Sequence, residues 1–206
     1  MRVAVVGGTG PFGRAVAARL QESGLDVIVG SRDADRAAAT AVEIDCVGEA
    51  NGDACADAGF IVLAVKAEAA LETARELQEA IGVTPVLSVA SELRFSKNGV
   101  FPTLDALSLA ERIQAELSGP VVAGLHSIAA SSLAAEARPD EDAFVCGDDA
   151  DAKAVALDLA ERLTAGRALD AGPLASARAL EGLTAVIVNL NRRYEGHAGF
   201  RVTGLK

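Results

Sequence analysis

Residues 1–13, MRVAVVGGTGPFG, decide the fold of this chain. Residues 2–6 form a short valine-rich run, which is typical of a buried β-strand. A glycine turn of the form G-x-G-x-x-G follows at once, with its glycines at Gly8, Gly10 and Gly13. The next residues carry apolar side chains at helical spacing, so the pattern indicates a strand, a tight turn and a helix in direct succession.

This succession is the context in which a glycine turn binds the pyrophosphate of a dinucleotide. Gly8 permits the tight turn, Gly10 lets the backbone approach the phosphates, and Gly13 lets the helix pack against the strand. Unpaired amides at the start of the helix, aided by the helix dipole, then face the phosphates. A plain glycine turn in an α/β protein that binds no ligand is the alternative interpretation.

The composition supports a sheet covered by helices. Half of the 206 residues are hydrophobic but only 3% are aromatic, so the core consists of small aliphatic side chains, which suit a parallel sheet. The formal net charge of −10 at pH 7 disfavours binding to nucleic acid or to an anionic membrane surface. No apolar run reaches the roughly 20 residues that a membrane-spanning helix needs.

The cysteines favour a cytoplasmic location. Cys46, Cys55 and Cys146 are scattered without C-x-x-C spacing, which is typical of proteins in a reducing compartment. We interpret each of them as a small buried apolar residue. The first predicted strand starts at the N-terminus with no signal peptide before it, which favours the same location.

The second predicted strand, residues 26–29, leads to Ser31, Arg32 and, one helical turn later, Arg36. NAD-specific folds usually place an acidic side chain here to hold the ribose 2′-hydroxyl. A hydroxyl and two guanidinium groups instead suit a 2′-phosphate, so the sequence predicts NADP rather than NAD. Asp33, at the start of the next helix, is interpreted as a helix cap. A solvated helix face at Arg32 and Arg36 is the alternative.

Strand and helix patterns alternate along the chain, which predicts an α/β fold with a Rossmann-like, doubly wound, mostly parallel sheet. Further strands are predicted at 59–65, 84–89, 120–125, 143–146 and 167–169, with a brief one near 42–47, and helices at 14–21, 36–43, 67–81, 104–117 and 127–135, after 149 and from about 173. Residues 90–103 are predicted to be an irregular loop beyond a strand end, where ligands bind in such folds.

The chain is predicted to divide into an NADP-binding domain, residues 1–150, and a C-terminal portion, residues 151–206. The final helix is apolar on nearly every face over 183–190, which is typical of a helix buried on all sides, often against a second subunit. We therefore expect a homodimer.

The tail is basic, with Arg192, Arg193, Arg201 and Lys206 against Glu195. In an otherwise acidic chain this local reversal of charge suits an anionic ligand. A solvated tail is the alternative.

Several segments together resemble the NADPH-dependent coenzyme F420 reductases, also called F420-dependent NADP oxidoreductases. They are GGTGPFG (7–13), VGSRD (29–33), VCGDD (145–149), LDAGPL (169–174) with Arg178, LEGLT (180–184), NLNRRY (189–194) and AGFRVTGL (198–205). The resemblance spans nearly the whole chain, and its most specific parts are CGDD and LDAGPL.

The resemblance implies hydride transfer between NADP(H) and the deazaflavin of coenzyme F420, with a small helical C-terminal portion that assists dimerisation and closes the acceptor site. It implies that the pyrophosphate is cradled by Thr9, Gly10, Pro11 and Phe12, and that the 2′-phosphate is held by Ser31, Arg32 and Arg36. It places beside the nicotinamide Lys66, Ala67, Leu71 and, after His126-Ser127-Ile128, Ala129 and Ala130.

Hydride transfer between two ring systems needs no protein nucleophile, so neither a catalytic nucleophile nor a metal centre is predicted. His126, at the carboxyl end of a predicted strand, either polarises the deazaflavin or orients a ligand phosphate, or else caps the next helix. Glu92, Arg94 and Lys97 either line the acceptor pocket or lie in a solvated loop.

The segment 66–69 differs from the Pro-x pair that is common after this strand in the resembled family, and this difference keeps two other functions open. One is an NADPH-dependent reductase of a flavin or of a small imine or ketone on the same scaffold. The other is a non-catalytic NADP-binding redox sensor.

Overall fold

The computed structural model describes residues 1–205 and contains an eight-stranded sheet and a separate two-stranded hairpin. The strands are β1 (Arg2–Val6), β2 (Asp26–Ser31), β3 (Val47–Ala50), β4 (Phe60–Leu63), β5 (Val86–Ser88), β6 (Leu93–Ser96), β7 (Gly99–Pro102), β8 (Val121–Gly124), β9 (Ala143–Gly147) and β10 (Ala168–Asp170). The sheet has the order β10-β9-β8-β5-β4-β1-β2-β3. Only the β8–β9 pair in it is antiparallel, so the predicted α/β class with a mostly parallel sheet is confirmed.

Helices cover both faces of the sheet. They are α1 (Pro11–Glu22), α2 (Ala34–Ile44), α3 (Asn51–Ala56), α4 (Ala67–Glu76), α5 (Gln78–Ile81), α6 (Leu109–Glu116), α7 (Ala130–Leu133), α8 (Ala150–Leu163) and, after a 3₁₀ turn at Leu174–Ser176, α9 (Ala177–Tyr194). Within residues 1–205, none of the helices combines the length and the apolar composition that crossing a membrane requires.

The central strand β1 divides the core into two layers. Val3 and Val5 pack into the layer that includes α1 and α8, whereas Ala4 and Val6 pack into the layer that includes α4 and α6. Burial on both faces explains why residues 2–6 are continuously apolar rather than alternating. The strand order reverses at β1, with β2 on one side and β4 on the other, and ligands of open α/β sheets bind at the carboxyl ends of the strands at such a point.

The glycine turn after β1 is fixed by close backbone contacts. The amides of Gly7 and Gly8 both donate to the Gly30 carbonyl at the end of β2, at 3.1 and 3.0 Å. Gly7 has φ +81°, which favours glycine. A Cβ at Gly13 would lie 2.5 Å from the Gly7 carbonyl oxygen, so α1 reaches the turn only because this position has no side chain.

Residues 93–102 form the hairpin β6–β7, so the prediction of an irregular loop over 90–103 is wrong for most of that segment. Ser96 pairs with Gly99, which leaves Lys97 and Asn98 at the tip. Asn189 of α9 accepts from the Val100 amide at 2.9 Å and donates to the Val100 carbonyl at 2.7 Å. These hydrogen bonds join residues 89 positions apart, and a local sequence pattern carries no signal for such a contact.

Several element boundaries also differ from the prediction. The strand expected near 42–47 lies at β3, because α2 continues to Ile44 and ends at Asp45 in the left-handed conformation (φ 61°). The helix expected from 104 begins at Leu109, because Ser108 and Glu111 form a capping box there.

The final helix is not enclosed on all sides within one chain. Ala185 and Ile187 are buried, but Val186 is 48% exposed, so the expected burial over 183–190 is wrong for the isolated chain. The strand β10 lies within residues 151–206 and extends the same sheet. The division of the chain after residue 150 stays a prediction.

We expect Gly13→Ala to lower the free energy of unfolding by about 1–3 kcal/mol, because the new methyl group overlaps backbone that cannot move aside. Gly52→Ala is the matched control, since a Cβ at Gly52 meets no atom within 4 Å. Urea denaturation of both variants measures the difference. Equal stabilities would contradict the close approach of α1 to the turn.

Candidate functional site

A cavity opens at the carboxyl ends of β1, β2 and β4, where the strand order reverses. It has a volume of about 660 Å³. Among the predicted site residues, those that line it are Thr9, Gly10, Pro11, Phe12, Ser31, Arg32, Arg36 and Lys66. The structure therefore brings together the residues predicted for a pyrophosphate and those predicted for a 2′-phosphate.

The floor of this cavity is the glycine turn and the first turn of α1. The N-cap residue is Gly10, so no side chain caps the helix, and Pro11 occupies the first helical position. The first-turn amides of a helix have no partner within the helix, and a ligand anion is a suitable one. Gly8 and Gly13 are absent from the cavity lining and serve the turn and the packing of α1.

The side wall at the end of β2 is basic. Ser31 is buried, and its hydroxyl accepts a hydrogen bond from the Asp33 amide at 3.2 Å. Asp33 accepts from the Arg36 amide at 3.1 Å and so caps α2 as predicted. Arg32 and Arg36 are exposed at the cavity rim, and neither guanidinium is ion-paired to any residue that the structure describes. Two uncompensated guanidinium groups beside a hydroxyl can bind a phosphate.

The opposite wall is formed by the end of β4 and the start of α4. Lys66 lines the cavity with a side chain that is 85% exposed, and its ammonium group lies 3.9 Å from the Glu68 carboxylate. Ala67 and Leu71 do not line the cavity. They are partly buried and pack against the core layer beneath α4.

His126, Ala129 and Ala130 lie beyond β8 and do not line this cavity. The helix predicted for 127–135 is only the short α7, which begins at Ala130. The imidazole of His126 is buried, and its ring nitrogens have no hydrogen-bond partner within residues 1–205. Burial lowers the pKa of His126 to about 4, against a smaller opposing effect of the Ala90 backbone, so the ring is neutral at pH 7.

The segment that carries His126 is joined to α9 and to the chain beyond β5. The Thr184 hydroxyl donates to the His126 carbonyl at 2.9 Å and lies 2.7 Å from the Ser91 hydroxyl. One side chain of α9 therefore fixes the two strand-end segments that follow β5 and β8.

The sequence interpretation missed part of the cavity wall. The further lining residues are Gly7, Asp33, Asn51, Ala64, Val65, Ala69 and Thr73. Asn51 and Gly52 look like turn residues in the sequence, although Asn51 begins α3. Ala69 and Thr73 are four residues apart and so lie on the same face of α4. The sequence does not show that this face lines the cavity, because that depends on how α4 packs on the sheet.

A second cavity of about 540 Å³ lies between the hairpin and α9. Its walls include Glu92, Arg178 and Glu181. Arg178 donates to the Ala106 carbonyl at 2.6 Å. Because Glu92 follows Ser91 directly, this cavity adjoins the strand-end segment that Thr184 fixes.

Glu181 reaches from α9 to the start of α6. Its carboxylate accepts from the amides of Leu109 and Ala110 at 3.1 and 3.2 Å. Burial raises the pKa of Glu181 to about 7, and the two amides and Arg112 oppose this rise. The carboxylate thus stabilises α6 at its positive end while lying in an unfavourable, buried position.

The basic tail does not form one cluster. Arg201 pairs with Asp140 at 3.1 Å, and an anion site at that residue stays a prediction. The Arg192 guanidinium lies 5.8 Å from the centre of the Phe95 ring, Arg193 is exposed, and Lys206 lies outside the described residues.

The tail is anchored by the buried Asp142, which accepts from the Val202 amide at 2.8 Å and pairs with Arg167 at 2.6 Å. The Arg167 guanidinium and these amide contacts hold the pKa of Asp142 well below its usual range. Residues 200–202 are therefore fixed beside the loop that precedes β9.

Of the three charged residues considered for the acceptor pocket, Glu92 and Arg94 have partners within the protein. Glu92 pairs with Arg112, and the Arg94 guanidinium lies 5.9 Å from the centre of the Phe101 ring. Lys97 is exposed at the hairpin tip. Of these three residues, only Glu92 lines the second cavity.

Comparison with known proteins gives a consistent picture. Residues 2–92 match the model of the family described as coenzyme F420-dependent NADP oxidoreductase. The chain is 33% identical to the F420-dependent NADP reductase of Methanothermobacter thermautotrophicus, covering all of this chain and 96% of that protein. It is 31% identical to the F420-dependent NADP reductase of Methanocaldococcus jannaschii, with full coverage of both.

A solved structure shares the whole architecture. It is a crystal structure from Arthrobacter sp. FB24 whose suggested identity is an F420-dependent NADP reductase. The TM-score is 0.85 at 29% identity, and the match covers 99% of this chain and 100% of that one.

We expect Glu181→Gln to alter how stability depends on pH. The pKa of Glu181 is about 7 in the folded protein, and that of glutamate in an unfolded chain is about 4.3. Between pH 4.3 and 7 the folded protein binds more protons at this carboxyl than the unfolded chain does. The contribution of Glu181 to the free energy of unfolding therefore falls as the pH rises through that window. The free energy of unfolding of Glu181→Gln, minus that of the native protein, should rise by about 2–3 kcal/mol between pH 4.3 and 7.

Denaturation at a series of pH values measures this difference. The matched control is Glu79→Gln, at an exposed glutamate of α5, which should follow the native protein. A constant difference between Glu181→Gln and the native protein across the window would contradict a raised pKa at Glu181.

Proposed function

Because the chain belongs to the F420-dependent NADP reductase family, we propose that it transfers a hydride between NADP(H) and the deazaflavin of coenzyme F420. The observation that carries the proposal is the cavity at the strand reversal, where a phosphate-binding turn faces a serine and two unpaired arginines. Identity along the full length of two reductases of that name supports the same reaction.

In this proposal the first-turn amides of α1 bind the pyrophosphate, together with Thr9, Gly10, Pro11 and Phe12. Ser31, Arg32 and Arg36 bind the 2′-phosphate. NADP(H) carries this group and NAD(H) does not, so these residues select NADP(H). The nicotinamide extends toward the end of β4, past Lys66 and toward Ala67, Leu71 and the segment 126–130.

When bound, the nicotinamide and the deazaflavin supply the hydride donor and acceptor, so no side chain has to act as a nucleophile. The task of the protein is to hold the two rings in contact and to exclude water. His126 suits this task as a neutral, buried group, since it is uncharged at pH 7.

We place the acceptor between the strand-end segments and the second cavity. Thr184 hydrogen-bonds the segments that follow β5 and β8 and so holds them together. The second cavity is next to Ser91, because the following residue, Glu92, lines it. The carboxylates that line this cavity are engaged elsewhere, since Glu92 pairs with Arg112 and Glu181 accepts two amides of α6. The Arg178 guanidinium therefore suits the anionic groups of a phosphate-bearing deazaflavin. The C-terminal portion then closes the acceptor side.

A reductase of a flavin or of a small imine or ketone is the second candidate function. The exposed Lys66 at the cavity rim favours it, because this residue stands where the resembled family commonly has a Pro-x pair. A non-catalytic NADP-binding sensor is the third candidate function, and the assay described below distinguishes it from the two reductases.

We also propose a homodimer built on α9 and the hairpin. Val186, Phe95, Phe101 and Tyr194 are exposed apolar or aromatic side chains of these two elements, and Asn189 ties the elements together. A large exposed apolar surface is typical of a protein interface. A cytoplasmic location is supported by the free thiols of Cys46, Cys55 and Cys146.

The proposed reaction is tested by mixing the protein anaerobically with NADPH and coenzyme F420 and recording the deazaflavin absorbance. Loss of this absorbance with NADPH, and little loss with NADH, is the expected result. NADPH oxidation only with flavin or carbonyl compounds would favour the second candidate. Tight NADPH binding without turnover on any acceptor would favour the sensor.

We expect Arg32→Ala and Arg36→Ala each to raise the KM for NADPH by about 10- to 100-fold, since each removes a charge-assisted contact to the 2′-phosphate. The KM for NADH should change little. Arg138→Ala is the control, because the Arg138 guanidinium is exposed and, within residues 1–205, hydrogen-bonds only the Glu161 carbonyl, at 3.5 Å. An equal rise for both cofactors would contradict the assignment of the 2′-phosphate site.

We expect Val186→Lys to weaken the homodimer, because it puts a charge into an apolar interface. Sedimentation at micromolar concentration should show a dimer for the native protein and a dimer dissociation constant raised by about 10-fold or more in the variant. Val83→Lys, at an exposed valine before β5, should leave the dimer intact. A monomeric native protein would contradict the proposed dimer.

A further inference from the structure

Asn51 is a buried polar side chain at the wall of the larger cavity that the protein leaves partly unsatisfied. The residue is only 7% exposed, and it lines the cavity. Its Oδ1 has no hydrogen-bond partner within residues 1–205. A buried amide oxygen without a partner is unfavourable. This oxygen faces Gly30, and since the oxygen and nitrogen of a carboxamide exchange places by a half-turn, the carboxamide at the cavity wall points to a ligand that completes its hydrogen bonds.

The helix does not explain this side chain. Asn51 is the first residue of α3, the N-cap is Ala50, and no side chain caps the helix. Asn51 is therefore neither a cap nor the turn residue that its sequence context indicates.

The surrounding backbone leaves room for the carboxamide. A Cβ at Gly30 would lie 3.0 Å from the Asn51 Oδ1 and 3.4 Å from the Ala54 Cβ. Gly30 is the residue immediately before Ser31, and Ser31 pairs with Ala50 in the parallel ladder of β2 and β3. The missing side chain at Gly30 thus makes space for Asn51 directly beside the basic wall of the cavity.

The location between two phosphate sites identifies the part of the cofactor that Asn51 meets. The Gly30 carbonyl accepts the amides of Gly7 and Gly8, so Gly30 touches the glycine turn on one side and Asn51 on the other. On the proposed function, the pyrophosphate lies at that turn and the 2′-phosphate lies at Ser31. The adenosine ribose joins these two groups covalently, so it crosses the wall beside Gly30 and Asn51.

We propose that the carboxamide of Asn51 hydrogen-bonds the 3′-hydroxyl of the adenosine ribose of bound NADP(H). The inference rests on the proposed function and adds to it a residue that positions the adenosine ribose. The 2′-oxygen carries a phosphate and the 5′-oxygen carries the pyrophosphate, so the 3′-hydroxyl is the free hydroxyl of this sugar. A hydroxyl both donates and accepts, and it therefore matches either the oxygen or the nitrogen of the carboxamide.

The test uses two ligands that lack the nicotinamide half, adenosine 2′,5′-bisphosphate and its 3′-deoxy analogue, with affinities measured by calorimetry. The native protein should bind the bisphosphate about 5- to 10-fold more tightly than the analogue, as one hydrogen bond predicts. Asn51→Ala should lose this preference, because its affinity falls for the bisphosphate and stays constant for the analogue. Asn98→Ala, at the exposed hairpin tip, should behave as the native protein.

Two further measurements separate recognition from a structural role. Without ligand, Asn51→Ala should melt at the native temperature or above it, because it removes an unpaired buried acceptor. Asn51→Asp keeps the size of the side chain and puts a carboxylate beside the 2′-phosphate. It should therefore weaken binding of the bisphosphate more than Asn51→Ala does.

The outcomes distinguish this inference from the function on which it rests. An equal loss of affinity for both ligands in Asn51→Ala, or no loss for either, overturns the contact with the 3′-hydroxyl while NADP binding stands. A native protein that binds neither ligand overturns the proposed use of NADP itself.

Discussion

The carbonyl oxygen of Gly30 accepts the amides of both Gly7 and Gly8, and the geometry of the larger cavity depends on this double contact. It brings the end of β2 against the turn after β1, so the glycine turn and Ser31 share one cavity. The chain after β4 closes the other side of the turn, since a Cβ at Gly7 would lie 2.8 Å from the Ala64 carbonyl oxygen. Backbone alone forms this part of the wall, and backbone dipoles that are already in place bind an anion without reorganisation.

Charge at the cavity is opposite in sign to charge on the whole protein. The chain carries a formal net charge of −10, yet Arg32, Arg36 and Lys66 surround the rim. Asp33 also lines the cavity, but its carboxylate is engaged as the cap of α2, and Glu68 lies 3.9 Å from the Lys66 ammonium group. Because exposed charges are screened beyond about 8 Å at physiological ionic strength, a bound phosphate responds to these cations rather than to the distant acidic surface.

The sequence was sufficient where structure depends on neighbours along the chain. The valine run at 2–6, the glycines that follow it and the apolar runs near 60 and 86 predict the parallel sheet, because burial on both faces and tight turns leave local patterns. It was insufficient where a distant contact decides. Asn189 holds the hairpin that had been expected to be a loop, Asp140 binds Arg201, and Asn51 resembles a turn residue until α3 is placed against β2. The exposed side of Val186 likewise depends on how α9 docks.

The two cavities are built from separate parts of the chain. Every residue that lines the larger one lies between Gly7 and Thr73, whereas the second one uses residues between Glu92 and Gly182. Chains leave the ribosome N-terminus first. A nascent chain therefore contains every residue that lines the larger cavity well before α9 has been synthesised. A chain that ended before α8 would contain every residue of the larger cavity, but the core layer beneath α1 would lack the α8 side chains that pack there.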